Sequence, residues 1–326
     1  MNITAVLPPD EDRGPAINAV AWVGTVVSTA FVGLRLYSRG VITRSLGWDD
    51  GVIVLAVVMN IITCALSSVA IASGFGRHIW HLAEEDLVRA LYYTAIERPP
   101  GILAYCLPKL SIVTLLCSLM GKAKSRVWFW ILHGMIVVLF VTSILSFVLF
   151  FVRCSPVSAL WDPSTPAQCF DPSILDVVTY ISGSWSAFVD LVLASFPIYL
   201  LWNLQMKRQR KVTVMVLMAL GFLASAAAIA KTTQLTLNHP EDPTWEAFYL
   251  FIATYIETNL VIIAASTPTL PKMVEALFRK SSSKTGHSDE PGSGYSLSHN
   301  LRGYREFDSQ DSSARMVPLQ AGTAKV

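Results

Sequence analysis

Seven stretches of the chain are apolar over roughly 20 residues, the length a helix needs to cross the hydrocarbon core. They run over residues 17–37, 51–73, 98–120, 128–152, 177–202, 212–234 and 245–267. The segments between them are short and rich in charge, Gly or Pro, and no stretch outside the seven could form a soluble core. The pattern predicts an all-α, seven-transmembrane helix bundle over 17–275, with residues 1–16 as a tail before it. From about residue 276 the composition turns to Ser, Gly and charge, which predicts a disordered, cytoplasmic, Ser-rich tail over 276–326.

Composition agrees with a bilayer environment: 53% of residues are hydrophobic and 15% charged, where soluble domains carry about a quarter charged. A net charge of +2 gives no reason to expect a nucleic-acid partner. The distribution of charge says more. Arg35, Arg39, Arg44, Lys122, Lys124, Arg126, Lys207, Arg208, Arg210, Lys211, Lys272, Arg279, Lys280 and Lys284, fourteen in all, fall on one side of the seven spans. Arg13, Arg77, Arg89, Arg98 and Arg153, five in all, fall on the other. Basic residues collect on the cytoplasmic side, so the N-terminus is expected outside and the C-terminus in the cytoplasm. Asp10, Glu11 and Asp12 stand where a cleaved leader would have a basic region, which favours an uncleaved first helix. Asn2 opens a glycosylation sequon too near the terminus to be expected in use. A multi-pass protein of the plasma membrane or another secretory-pathway membrane is the expected setting.

Three ionisable residues fall near the bilayer midplane. Lys109 lies in the third span, Asp190 in the fifth and Glu257 in the seventh. At 1.5 Å per residue, Lys109 is ~16 Å from the inner end of its helix. A charge facing lipid there costs roughly 3 kcal/mol or far more. Pairing is the remedy, so Lys109 is expected to bridge Asp190, Glu257 or both. Ser182, Gly183, Ser186 and Asp190 form a small, polar stripe at helical spacing, while Tyr105 sits one turn from Lys109 and Thr254 beside Glu257. Tyr105, Lys109, Ser186, Asp190, Thr254 and Glu257 could line a ligand site, and the plainer alternative is an ion-pair network that fixes helix register. Lys231 and Arg35, near span ends, are expected to snorkel to headgroups. Glu97 and Arg98 are expected at the outer interface with Tyr92 and Tyr93. Gly221, Ala224, Ser225 and Ala228 share one face of the sixth span and read as packing.

Of five cysteines, Cys64, Cys106 and Cys117 sit in apolar runs. Cys154 and Cys169 flank a polar loop on the expected outer side, where an oxidising medium permits a disulfide. Closing such a loop contributes roughly 3 kcal/mol in a chain-entropy treatment. His78, His81 and Glu85 would share a face if their loop were helical, but a solvated surface explains them better than a metal site. Asp49 and Asp50 precede the second span, where capping explains them better than Mg²⁺. The basic loop Lys207, Arg208, Arg210 and Lys211 has anionic headgroups as its default partner and a cytoplasmic signalling protein as the sharper one.

Several motifs together resemble the fungal rhodopsin-domain integral membrane proteins, of the satratoxin-cluster type and related to the Pth-type receptor-like proteins. They are RSLGWDD (44–50), GFGRHIW (74–80), KLSI (109–112), the ALWD loop between Cys154 and Cys169, VDLVLASFPIYLLWNLQM (189–206) and IETNLVIIAASTPTLPK (256–272). The resemblance covers about residues 17–275. It implies a seven-helix receptor-like fold and, for some relatives, residence in a secondary-metabolite cluster. The Pth-type receptors often carry a cysteine-rich outer module, and the short stretch before the first span does not imply one here.

Two functions follow as expectations. One is a receptor-like sensor, with a small-molecule ligand and a cytoplasmic signalling partner; the other is a small-solute or metabolite transporter or accessory protein. No inverted repeat of short, broken helices supports transport. No cofactor is expected. Retinal would need a lysine in the middle of the seventh span, and Lys272 lies past its end. No nucleophile elbow, metal-binding helix or phosphate cradle points to an enzyme.

Overall fold

The computed structural model describes residues 9–119, 125–201, 208–237 and 243–269. Asn2, Lys207 and the tail over 276–326 lie outside the described residues. Arg208, Arg210 and Lys211 fall in the first turn of a helix.

Eight helices of more than ten residues occur among the described residues: α1 Gly14–Tyr37, α2 Trp48–Ala72, α3 Glu84–Ile96, α4 Arg98–Leu119, α5 Ser125–Val152, α6 Pro172–Leu201, α7 Arg208–Leu237 and α8 Pro243–Ser266. Six helical stretches are long and apolar enough to cross a membrane, with α3 and α4 counted as one over Glu84–Cys117. The remaining helix, α7, is 30 residues long but carries a shorter apolar run, Met218–Thr233. The protein is an all-α membrane bundle.

The helices pack in a ring in the order α1, α2, α4, α5, α6, α7, α8 and back to α1. Within the ring α4 also touches α6 and α8, which makes it the central element. Each helix turns a stripe inward. On α1 the buried positions Ile17, Ala21, Thr25, Ser28, Val32 and Arg35 recur every three or four residues, while Val23, Val26 and Val27 stay exposed. An apolar outer face is what lipid demands, since between apolar helices packing and polar contacts replace the hydrophobic effect.

Close packing follows from small residues. A Cβ on Gly221 would lie 2.5 Å from the Cβ of Ala194, so only glycine lets α7 approach α6 at that point. Ala224 and Ala228 of the same face are buried, in agreement with the packing role read from the sequence. Pro108 stands inside α4 and leaves the Ala104 carbonyl without its usual helical donor.

α1 starts at Gly14, three residues before the predicted edge, with Pro15 in its first turn. It ends in a π turn over Ser38–Ile42. After α2 the chain reverses through Gly74 and Gly76, both at positive φ (97° and 100°), where a side chain would be strained. The loop between α5 and α6 is tied by a short ladder, Cys154–Ser155 against Gln168–Cys169, and by the Cys154–Cys169 disulfide.

Candidate functional site

Four charges from four helices meet in the interior. α4 presents Lys109, α6 Asp190, α7 Lys231 and α8 Glu257. The Lys109 ammonium donates to Ser186 Oγ at 2.6 Å, Asp190 Oδ2 at 2.9 Å and Glu257 Oε1 at 3.0 Å. An ammonium has three hydrogens, so the three acceptors saturate it. Ser186 in turn donates to Glu257 Oε1 at 3.0 Å. Glu257 uses its other oxygen, Oε2, to accept from Lys231. Lys109 and Glu257 are fully enclosed and Asp190 nearly so.

The sum of charge is zero: two lysines face two carboxylates. That balance matters because a buried pair stripped of one member leaves a charge with neither water nor partner. Tyr105 borders the cluster, its ring centroid 5.5 Å from Lys109 Nζ and 5.4 Å from Lys231 Nζ. Its hydroxyl shares a hydrogen bond with Ser143 of α5, which adds a fifth helix. Beside Asp190 lies a cavity of about 20 Å³, lined by Ile112, Leu193, Gly221 and Ala264 among others. That is room for about one water.

The structure thus brings together Lys109, Asp190, Glu257, Ser186 and Tyr105 of the sequence-selected residues. Thr254 stays apart, its hydroxyl donating to the Leu250 carbonyl of its own helix at 2.7 Å. Lys231 was expected to snorkel and instead joins the cluster, because α7 continues to Leu237 and sets Lys231 more than a turn inside its end. A count of charge would have found it, since one lysine cannot neutralise two midplane carboxylates.

Arg35 also departs from the expectation of snorkelling. It is completely buried, and its guanidinium bonds Asp50 Oδ1 at 2.8 Å, Asp49 Oδ2 and the Ala265 carbonyl. Arg39 bonds the same two carboxylates from the side. Asp50 keeps the capping role as well, accepting from the Gly47 backbone N–H at 2.9 Å. Four charges therefore clamp α1 to α2 and to the end of α8, and Ser111 of α4 adds a bond to the Asp49 carbonyl.

At the other end of the bundle, His78 stacks on Trp245 with centroids 4.0 Å apart, and the Arg13 guanidinium lies 3.7 Å from the same ring. His78 and His81 precede the helix that carries Glu85, so the three do not share a face. Among the described residues no group of three metal-ligating side chains forms a metal site. Glu97, expected at the interface, is buried among helices. An open groove of about 530 Å³ lies between α3 and the disulfide loop, with Glu84, Glu85, Arg89, Tyr92, Trp161 and Asp162 on its walls. Tyr92 and Trp161 meet there edge to face at 5.4 Å.

The ring of long apolar helices around a polar interior defines a class: multi-pass, all-α membrane proteins. The fungal rhodopsin domain matches residues 34–276, and the chain belongs to that family. It is 25% identical over 256 residues to a SAT4 family membrane protein of Emericella nidulans, covering 77% of this chain and 61% of that one. The chain thus spans less than two thirds of that relative's length. It is 25% identical to the polyenoic acids biosynthesis gene cluster protein Ba17b of Metarhizium anisopliae, over 86% of this chain and 80% of that one. It is 23% identical to the wortmanamides biosynthesis cluster protein C of Talaromyces wortmannii, over 88% and 79%. No solved structure matches the chain significantly.

Proposed function

We propose that the chain is a receptor-like membrane protein that senses a small molecule of a fungal secondary-metabolite cluster, without enzymatic activity and without retinal. Two relatives carry cluster names, which supports the setting. The observation that carries the sensing reading is where the space lies. The interior cluster leaves room for about one water, whereas the groove between α3 and the disulfide loop, at about 530 Å³, is of ligand size. The ligand binds in the groove, and the four-charge cluster is the latch whose helix arrangement it biases. A ligand moves such an equilibrium only by its difference in affinity for the two arrangements.

Orientation belongs to the same proposal. The excess of basic residues on the α1–α2 and α6–α7 side supports a cytoplasmic location for that side. The Cys154–Cys169 disulfide favours an oxidising face, which supports an outer location for the groove. Retinal is left out because α8 holds no lysine to carry it, and both interior lysines are committed to ion pairs.

The test uses the full chain purified in detergent and organic extracts of the culture that makes it, fractionated to single compounds. A compound that raises the unfolding temperature of the wild-type chain and not that of Trp161→Ala supports the reading. Equal shifts in both, or no shift from any fraction, overturn it. Movement of the same compound across proteoliposomes holding the chain would replace sensing with transport.

A further inference from the structure

A second buried polar region lies apart from the charge cluster, between α2, α8 and the junction of α3 with α4. Glu97 sits at that junction, 6% exposed, and its Oε2 has no hydrogen-bond partner. Tyr255 of α8 is 3% exposed, and its hydroxyl makes no hydrogen bond of standard geometry. Ser67 of α2 approaches both groups. Arg98 follows it in sequence and attracts the carboxylate across space, but its guanidinium lies 3.8 Å from the Phe150 ring and makes no hydrogen bond to Oε2. A carboxylate enclosed in a helix bundle takes up either a proton or a compensating cation.

We infer that Glu97, Ser67 and Tyr255 form a binding site for a monovalent cation of sodium size. The donor set is all oxygen: a carboxylate, a hydroxyl and a phenol. Hard cations take such oxygens, whereas softer transition metals favour nitrogen or sulfur. The neighbouring thiol of Cys64 is already engaged, with Thr25 at 3.1 Å and the Ala21 carbonyl at 3.8 Å. One carboxylate balances one positive charge.

The site extends into a polar column. Cys64 meets Thr25, which accepts from Asn60 Nδ2 at 2.9 Å. Asn60 also donates to Asn259 Oδ1 at 3.2 Å, and its own Oδ1 is a third buried oxygen without a partner. Tyr255 stands two residues before Glu257 on α8. Occupancy would therefore hold α2, α4 and α8 in one arrangement and stiffen the helix that carries a member of the charge cluster.

The experiment needs no ligand of the groove, so it stands or fails apart from the sensing reading. The full chain in lipid nanodiscs is unfolded thermally in sodium chloride and in choline chloride at equal ionic strength and fixed pH. The expected result is an unfolding temperature that rises saturably by a few degrees with sodium, as mass action on a native-state site requires. Glu97→Gln abolishes that rise and, in choline, unfolds at a higher temperature than the wild-type chain. Tyr255→Phe weakens the rise. Equal unfolding in sodium and choline overturns the inference, as does a sodium response that survives in Glu97→Gln. A response to pH with none to sodium makes the occupant a proton and also overturns it. Should Glu97→Gln fail to fold, the wild-type salt comparison decides alone.

Discussion

The bundle holds two charge clusters of the same stoichiometry, two cations and two carboxylates, built in opposite ways. The Arg35, Arg39, Asp49 and Asp50 cluster is local, with all four residues within one α1–α2 hairpin. The Lys109, Asp190, Lys231 and Glu257 cluster draws one residue from each of four helices far apart in sequence. The local cluster uses arginine, whose planar fork fixes its partners in direction as well as distance. The dispersed one uses lysine, a point charge on a flexible stem that can change partners. The first is suited to clamping a hairpin in one geometry, and the second tolerates small shifts of the helices it joins.

That contrast predicts where substitution hurts most. Lys109→Ala removes the donor shared by Ser186, Asp190 and Glu257 and leaves the Asp190 carboxylate unpaired in the core. Breaking a buried pair costs about 3–5 kcal/mol, so folded yield by fluorescence-detected gel filtration should collapse. Near-normal yield would mean that the dispersed cluster does not hold the bundle. Arg35→Lys comes next. It keeps the charge but cannot satisfy Asp49, Asp50 and the Ala265 carbonyl from one fork, and losing a charged hydrogen bond costs about 1.5–3 kcal/mol. Thermal unfolding should show a clear loss. If lysine serves as well as arginine there, the distinction between directional and point-charge clusters fails.

The fold was largely legible, because spans are set by bilayer thickness and their apolar runs are long. The interior site was legible in half. Lys109, Asp190 and Glu257 stood out because charge is intolerable at mid-depth, whatever the packing. Lys231 did not, since its depth depends on where α7 ends, and the run TTQLTL there is too polar to mark the end. The role of Arg35 is hidden in the sequence for a related reason. Long basic side chains near a span end usually reach for headgroups, and only the fold shows that the two aspartates lie beside it. The two networks could have been paired by counting charges within the spans instead of judging each charge alone. Thr254 is close to Glu257 in sequence, yet residues three apart share only part of a helix face.

Lys231 sharpens the comparison further. It is 15% exposed and serves one oxygen of a carboxylate that Lys109 also serves. Lys231→Met should therefore cost near the low end of the roughly 1–3 kcal/mol expected for an orphaned buried group. The double variant Asp190→Asn with Lys231→Met keeps the cluster neutral. Its loss in unfolding temperature should be smaller than the two single losses added, as coupled neighbours require. Simple additivity would mean that the four charges act as independent pairs and not as one network.

The smallest effect belongs to a third ion pair, which serves as the outside reference. Arg77 reaches Asp10 on the rim of the bundle, with Nε 3.1 Å from Oδ1, and both side chains are at least a third exposed. The Arg77 hydrogen bond holds the Asp10 carboxyl below its usual range. A depressed acid stabilises the fold above its unfolded value and loses that contribution as pH falls through the folded one. The wild-type chain should therefore exceed Asp10→Asn only at neutral pH and low salt, with the difference fading as the pH drops below about 4. At about 0.15 M salt the already small difference should shrink, because salt weakens ion pairs in contact with solvent. The two buried clusters should be insensitive to that same addition. If Asp10→Asn destabilised the chain as much as Arg35→Lys and did so in high salt, burial would not be what separates these pairs. The division drawn between clamp, latch and rim would then have no physical basis.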